Sequence, residues 1–151
     1  MTVAEILEFT LDKFTFRVPS DRLYTSDGVW AMEDNGQIRV GLSDFLQQRS
    51  GDVAFVDMQR VGDVIRRGDE LVSIETIKVN VGLSSPVTGT IVDTNPNLQD
   101  TPEVINTDPY RDGWLALIEA SDWDGDRAAL LSPAAYFDIM KAQAEAEAKE
   151  L

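Results

Sequence analysis

Two short β-rich stretches, residues 64–71 and 86–92, each carry a glycine corner, Arg67-Gly68-Asp69 in one and Thr88-Gly89-Thr90 in the other. They bracket Asp69-Glu-Leu-Val-Ser-Ile-Glu-Thr-Ile-Lys78-Val-Asn-Val-Gly82 almost symmetrically. A chain patterned this way must double back between the corners, which puts Lys78 at a hairpin tip. The four lysines are Lys13, Lys78, Lys141 and Lys149, so the body of the chain takes all its other positive charge from arginine. An arginine keeps its charge at ordinary pH, whereas a lysine amine can be deprotonated and acylated. The plainer reading of Lys78 is a solvated charge that discourages edge-to-edge strand pairing.

Composition narrows the chemistry. The 151 residues suffice for one domain with a core and are few for a multidomain enzyme. Cysteine and histidine are both absent from the sequence, so the chain offers neither a thiolate nucleophile nor an imidazole base. Redox chemistry then has to come from an attached group. A net charge of −14, from 27 acidic and 13 basic residues, argues against nucleic acid, which needs a basic footprint. Such a surface suits basic patches on partner enzymes. The opening stretch lacks the basic start and unbroken apolar run of a signal peptide and is too acidic for a transit sequence. With no long apolar run for a membrane, the expected location is the bacterial cytoplasm.

Along the chain, residues 3–8 are compatible with a helical turn, and residues 13–18 alternate as a strand. Residues 29–33 and 37–42 read as a hairpin through Asn35-Gly36, a pair that tolerates positive φ. Ser43 caps a short helix over 44–49, closed by Gly51. Residues 52–58 form a strand, and the Gly62-Asp63 and Gly68-Asp69 pairs make turns. Thr101-Pro102-Glu103 caps and starts a helix ending near Asn106, and residues 114–119 form the last strand. Asp122-Trp-Asp-Gly-Asp126 fails the spacing of a calcium loop, and Asp126 is read as the cap or first turn of a helix. Ser132-Pro133 starts the final helix, whose residues 141–151 have little to pack and are expected to fray or to dock on a partner.

Glu75-Thr76-Ile77-Lys78 resembles the Glu-Ser-Val-Lys hairpin of lipoyl carriers, and specifically of the glycine cleavage H-protein family. The likeness continues through Val40-Gly41-Leu42-Ser43-Asp44, Gly51-Asp52-Val53-Ala54-Phe55-Val56 and Ser85-Pro86-Val87-Thr88-Gly89-Thr90. Asn95-Pro96-Asn97-Leu98, Asp108-Pro109-Tyr110 and Gly113-Trp114-Leu115 extend it, so that roughly residues 23–140 are covered in order. A biotinyl carrier more typically places methionine on both sides of the lysine, where this chain has Ile77 and Val79.

The resemblance implies a mainly β fold with short helices: a flattened lipoyl/biotinyl-type barrel-sandwich hybrid with a C-terminal helix. It divides the chain into an N-terminal extension (1–19), a carrier domain (20–131) and a C-terminal helix and tail (132–151). It also implies a non-catalytic protein with lipoic acid in amide linkage to Lys78, flanked by Ile77 and Val79. Glu75 would guide the lipoylating enzyme, either a lipoate ligase or a lipoyl synthase and transferase pair; its alternative role is a cross-strand polar contact.

One departure bears on pathway. Where H proteins carry a His and a second Glu, this chain has Gly28 and Val29. Together with the N-terminal extension and acidic C-terminal helix, this places first the lipoate-binding proteins of bacterial sulfur oxidation, serving a heterodisulfide-reductase-like complex. The alternative is glycine cleavage, with glycine decarboxylase, aminomethyltransferase and dihydrolipoyl dehydrogenase as partners. A further alternative is an unmodified interaction module.

Overall fold

The computed structural model describes residues 5–149. It opens with a hairpin of β1 (Ile6–Leu11) and β2 (Phe14–Pro19), turned at Asp12, whose φ is 56°. The helical turn expected over residues 3–8 is therefore a strand from Ile6 onward, and residues 3 and 4 lie outside the described residues. Its cause is long-range: β1 pairs along its whole length with β2, from Ile6 opposite Pro19 to Leu11 opposite Phe14, and Leu7, Phe9 and Leu11 pack against a core cluster.

The body is two sheets. Strands β3 (Leu23–Tyr24), β4 (Val29–Asp34) and β5 (Gln37–Leu42) begin the larger one. After helix α1 (Asp44–Ser50) the chain adds β6 (Val53–Met58), β7 (Val64–Ile65), β8 (Glu70–Thr76), β9 (Asn80–Ser84) and β10 (Gly89–Thr94). Two single turns, α2 (Asn97–Asp100) and α3 (Val104–Thr107), then lead to β11 (Ala116–Ala120), α4 (Trp123–Ala128) and α5 (Pro133–Lys149). The six-stranded sheet runs β3-β4-β5-β11-β10-β7, and the three-stranded sheet β6-β8-β9. Between them one cluster is buried, with Val40, Ile91 and Ile118 from the first sheet and Val53, Ile74 and Leu83 from the second. Each such side chain contributes roughly 1.5–3 kcal/mol by leaving water.

Within the β-rich stretch 64–71, Arg66 to Asp69 form the turn expected of the Gly68-Asp69 pair, between β7 and β8. Asp63 and Asp69 accept the amides of Arg60 (2.9 Å) and Arg66 (3.1 Å), and Gly62 and Gly68 sit at φ 95° and 94°. The two Gly-Asp pairs are thus the same turn built twice. Helix α3 also begins later than expected, at Val104, with Glu103 at its N-cap and no side-chain cap bond. Asp122 caps α4, while Asp126 in its first turn is buried and accepts the Thr88 amide at 2.8 Å.

A second cluster joins Phe16, Trp30, Phe45, Tyr136, Met140 and Ala144. Its presence corrects, for residues 141–149, the expectation that residues 141–151 fray or dock only on a partner; residues 150 and 151 lie outside the described residues. Ala144 is buried, Lys141 Nζ lies 5.2 Å from the Phe9 ring centre, and Glu147 pairs with Arg49 at 3.0 Å. The sequence shows no partner for that tail because the partners come from β1 and α1. Among the described residues no helix is long and apolar enough to cross a membrane.

Candidate functional site

Strands β8 and β9 pair antiparallel up to Glu75 opposite Asn80, and the turn between them closes with the Thr76 amide donating to the Val79 carbonyl at 2.9 Å. Thr76 organises the tip. Its buried hydroxyl accepts the amides of Lys78 (3.1 Å) and Val79 (3.0 Å) and lies 2.7 Å from the Ser50 carbonyl, to which it donates. The Ile77 amide donates to the Asp52 carbonyl at 3.1 Å. Both outside contacts come from the end of α1 and the residues just after it.

That segment is held in turn by Asn106 at α3, whose carboxamide accepts the Val53 amide (2.9 Å) and donates to the Gly51 carbonyl (3.0 Å) and Gln47 Oε1 (3.1 Å). Gly51 has φ 94°, in the region that favours glycine, and its bare backbone leaves room for the lysine stem above it: a Cβ there would lie 3.3 Å from Lys78 Cδ. Lys78 itself is exposed and forms no ion pair with the described residues. Ile77 and Val79 beside it are 74% and 48% exposed, an unusual outlay of apolar surface at a tip.

Glu75 is exposed on β8, with Phe55 and Asn80 as its paired neighbours on β6 and β9, and its carboxylate makes no hydrogen bond to either. Beside the hairpin lies a groove of about 460 Å³, walled by Asp27, by Leu46, Arg49 and Ser50 of α1, and by Val79 and Val81. Gly28 and Val29 do not reach it. Val29 is core, and a Cβ on Gly28 (φ 97°) would meet Ser43 Oγ at 2.9 Å and Tyr136 Oη at 3.0 Å. The adjacent carboxylate, Asp27, is the group on the groove wall.

The sequence reading singled out Lys78, Glu75, Ile77 and Val79, and the structure brings them to one end of the three-stranded sheet. It missed Asn106, whose work depends on a partner about fifty residues away in the chain. Arg22 was missed as well: it is buried, with its guanidinium 4.6 Å from the Trp30 ring centre and 5.1 Å from that of Tyr110. No spacing rule announces such a stack.

Two facing sheets with a tight hairpin projecting from one end form a barrel-sandwich hybrid, the fold of small domains that carry a prosthetic group on a lysine. The chain belongs to the glycine cleavage H-protein family, whose sequence profile matches residues 22–143. A glycine cleavage system H protein of Listeria monocytogenes serotype 4a is 39% identical over 123 residues, spanning 82% of this chain and 98% of that one. A probable glycine cleavage system H protein of Natronomonas pharaonis is 45% identical over 112 residues, spanning 74% and 86%. The crystal structure of a glycine cleavage system H protein from Mycobacterium marinum superposes with a TM-score of 0.71 at 31% identity, over 79% of this chain and 95% of that one. Proteins of this family are non-catalytic carriers with a covalent lipoyl-lysine.

Proposed function

We propose that the protein is the H component of a glycine cleavage system and that Lys78 is its lipoylated residue. The observation that carries this reading is the position of Lys78: exposed at the tip of a hairpin whose backbone is fixed from beneath by Ser50 and Asp52. Bound lipoic acid supplies a dithiolane that takes up two electrons on opening and leaves a sulfur to hold the transferred group. The chain's own residues leave the amine exposed, with its stem over Gly51, and offer a groove next to its root. They place the Asp27 carboxylate, of the sign a cationic aminomethyl cargo requires, on a groove wall that also carries Arg49.

The departure at Gly28 and Val29 stays with the chain: Asp27, on the groove wall, holds the place of the family's first Glu, and the His and second Glu that would follow it have no counterpart. The relatives carry the glycine cleavage name, which favours that pathway over sulfur oxidation with a heterodisulfide-reductase-like complex, the reading placed first from the sequence. Partners on this proposal are glycine decarboxylase, aminomethyltransferase and dihydrolipoyl dehydrogenase, together with a lipoate-attaching enzyme that reads Glu75.

The test is intact-mass and peptide-mapping spectrometry of protein lipoylated in the presence of its native attaching enzymes, followed by glycine–bicarbonate exchange with glycine decarboxylase. One lipoyl group on Lys78 and supported exchange are expected. An unmodified Lys78 overturns the carrier site, and a lipoylated protein that supports no exchange overturns the pathway.

A further inference from the structure

Residues directly paired across neighbouring strands present their side chains on the same face of a sheet. Phe55, Glu75 and Asn80 pair in one row across β6, β8 and β9, and all three are exposed, Phe55 at 68%. The next row inward from the tip, Val56, Ile74 and Val81, faces the core side. The pairing register shifts between Val53 and Phe55, so that Val53 is buried and Phe55 is not. A phenylalanine standing in solvent in the middle of a strand, opposite a carboxylate whose side chain has no hydrogen bond or ion pair among the described residues, is an apolar anchor with a polar rim.

We infer that this row, together with the exposed Ile77 at the hairpin tip, is the docking surface for the enzyme that attaches lipoate to Lys78, with Phe55 as its anchor. The inference rests on the lipoyl-carrier reading of Lys78. Geometry selects the occupant. An attaching enzyme must bring an activated lipoyl carbonyl, such as an acyl adenylate, to Nζ itself. There the amine attacks as the free base, the new amide bond forms, the acyl–phosphate bond breaks, and adenylate leaves as Nζ gives up a proton. The enzyme's surface must therefore close over the residues around the lysine root. Enzymes that act later meet the sulfur end of a long flexible arm and have no need to touch β6. Charge points the same way, since a chain of net −14 presenting an unpaired Glu75 favours a partner with a basic rim.

The experiment uses the full unmodified chain, purified lipoate–protein ligase, lipoate and ATP, with initial rates read by intact mass as carrier concentration is varied. Phe55→Ser should lower kcat/KM by about tenfold or more through KM, as loss of an interface anchor does. Phe55→Leu should recover most of the loss. Val64→Ser, at a 78% exposed position on β7 in the other sheet, should match the parent. Unchanged kinetics for Phe55→Ser overturn the inference. So does normal lipoylation of that variant combined with slower reduction of its arm by dihydrolipoyl dehydrogenase, which would assign the face to that enzyme. A parent chain modified at a residue other than Lys78 instead sinks the carrier site, and this surface with it.

Discussion

The side chain of Lys78 rests over the backbone of Gly51, close enough that a Cβ on residue 51 would approach its Cδ to 3.3 Å. Gly51 also holds φ 94° and ψ −173°, a conformation close to glycine-only. Gly51→Ala should therefore destabilise the protein by about 1–3 kcal/mol. It should also slow acylation of Lys78, because the stem must shift. Thermal unfolding and lipoylation rate check the two effects, and a variant that matches the parent in both removes Gly51 from the support of the hairpin.

Thr76→Val keeps the shape and removes the hydroxyl that bonds Lys78, Val79 and Ser50. Leaving the Ser50 carbonyl, in its buried contact, and the two part-buried amides without this partner costs about 1–3 kcal/mol. Thr76→Ser retains the oxygen and should lose less. Chemical denaturation orders the three proteins; a valine variant as stable as the parent contradicts the assignment.

The Arg49–Glu147 pair is half-exposed on both sides, at 51% and 42%. Exposed pairs contribute roughly 0–1 kcal/mol and are screened by salt. Glu147→Gln should thus lower the melting temperature only slightly at low ionic strength and leave no difference at high salt. A large loss that persists at high salt contradicts this weight for the pair.

Burial raises the Tyr136 phenol to about 12, partly offset by its hydrogen bond to Ser43 at 2.8 Å. Burial raises Tyr24 and Tyr110 as well. The folded state therefore keeps protons that the unfolded chain releases above its ordinary value of 10.0. The stability linked to these groups is complete below that pH and falls as pH rises from there through the folded values. Tyr136→Phe should flatten this alkaline loss while Tyr24 and Tyr110 sustain the remainder. Melting temperatures from pH 8 upward provide the measurement, and equal slopes for parent and variant contradict it.

What the sequence made legible was chemistry confined to a few neighbouring residues. The Asn35-Gly36 turn has φ 52° and 82°, Ser43 caps α1 by accepting the Leu46 amide at 3.2 Å, and the lysine hairpin forms where its glycine corners required. What stayed hidden depends on distant partners. Ile6 to Leu11 is a strand because β2 lies beside it, and the last turns of α5 are held by Phe9 and Arg49. That Gly28 and Val29 replace the family's His and second Glu is plain in the sequence, but only the packing of Ser43 and Tyr136 against Gly28 and the burial of Val29 show that neither position faces the groove, whose wall carries Asp27.

The hydrogen bonds joining Thr76 to Ser50, Ile77 to Asp52 and Asn106 to Gly51 have a mechanical meaning. They make the hairpin a fixed pivot rather than a hinge. An acyl arm rooted at Lys78 would sweep a dome whose centre is set by the protein and whose radius is set by the arm's own rotors. Two partner sites could then be visited in turn without the protein backbone changing shape, and lengthening or stiffening the arm, more than altering the barrel, would reset which sites it reaches.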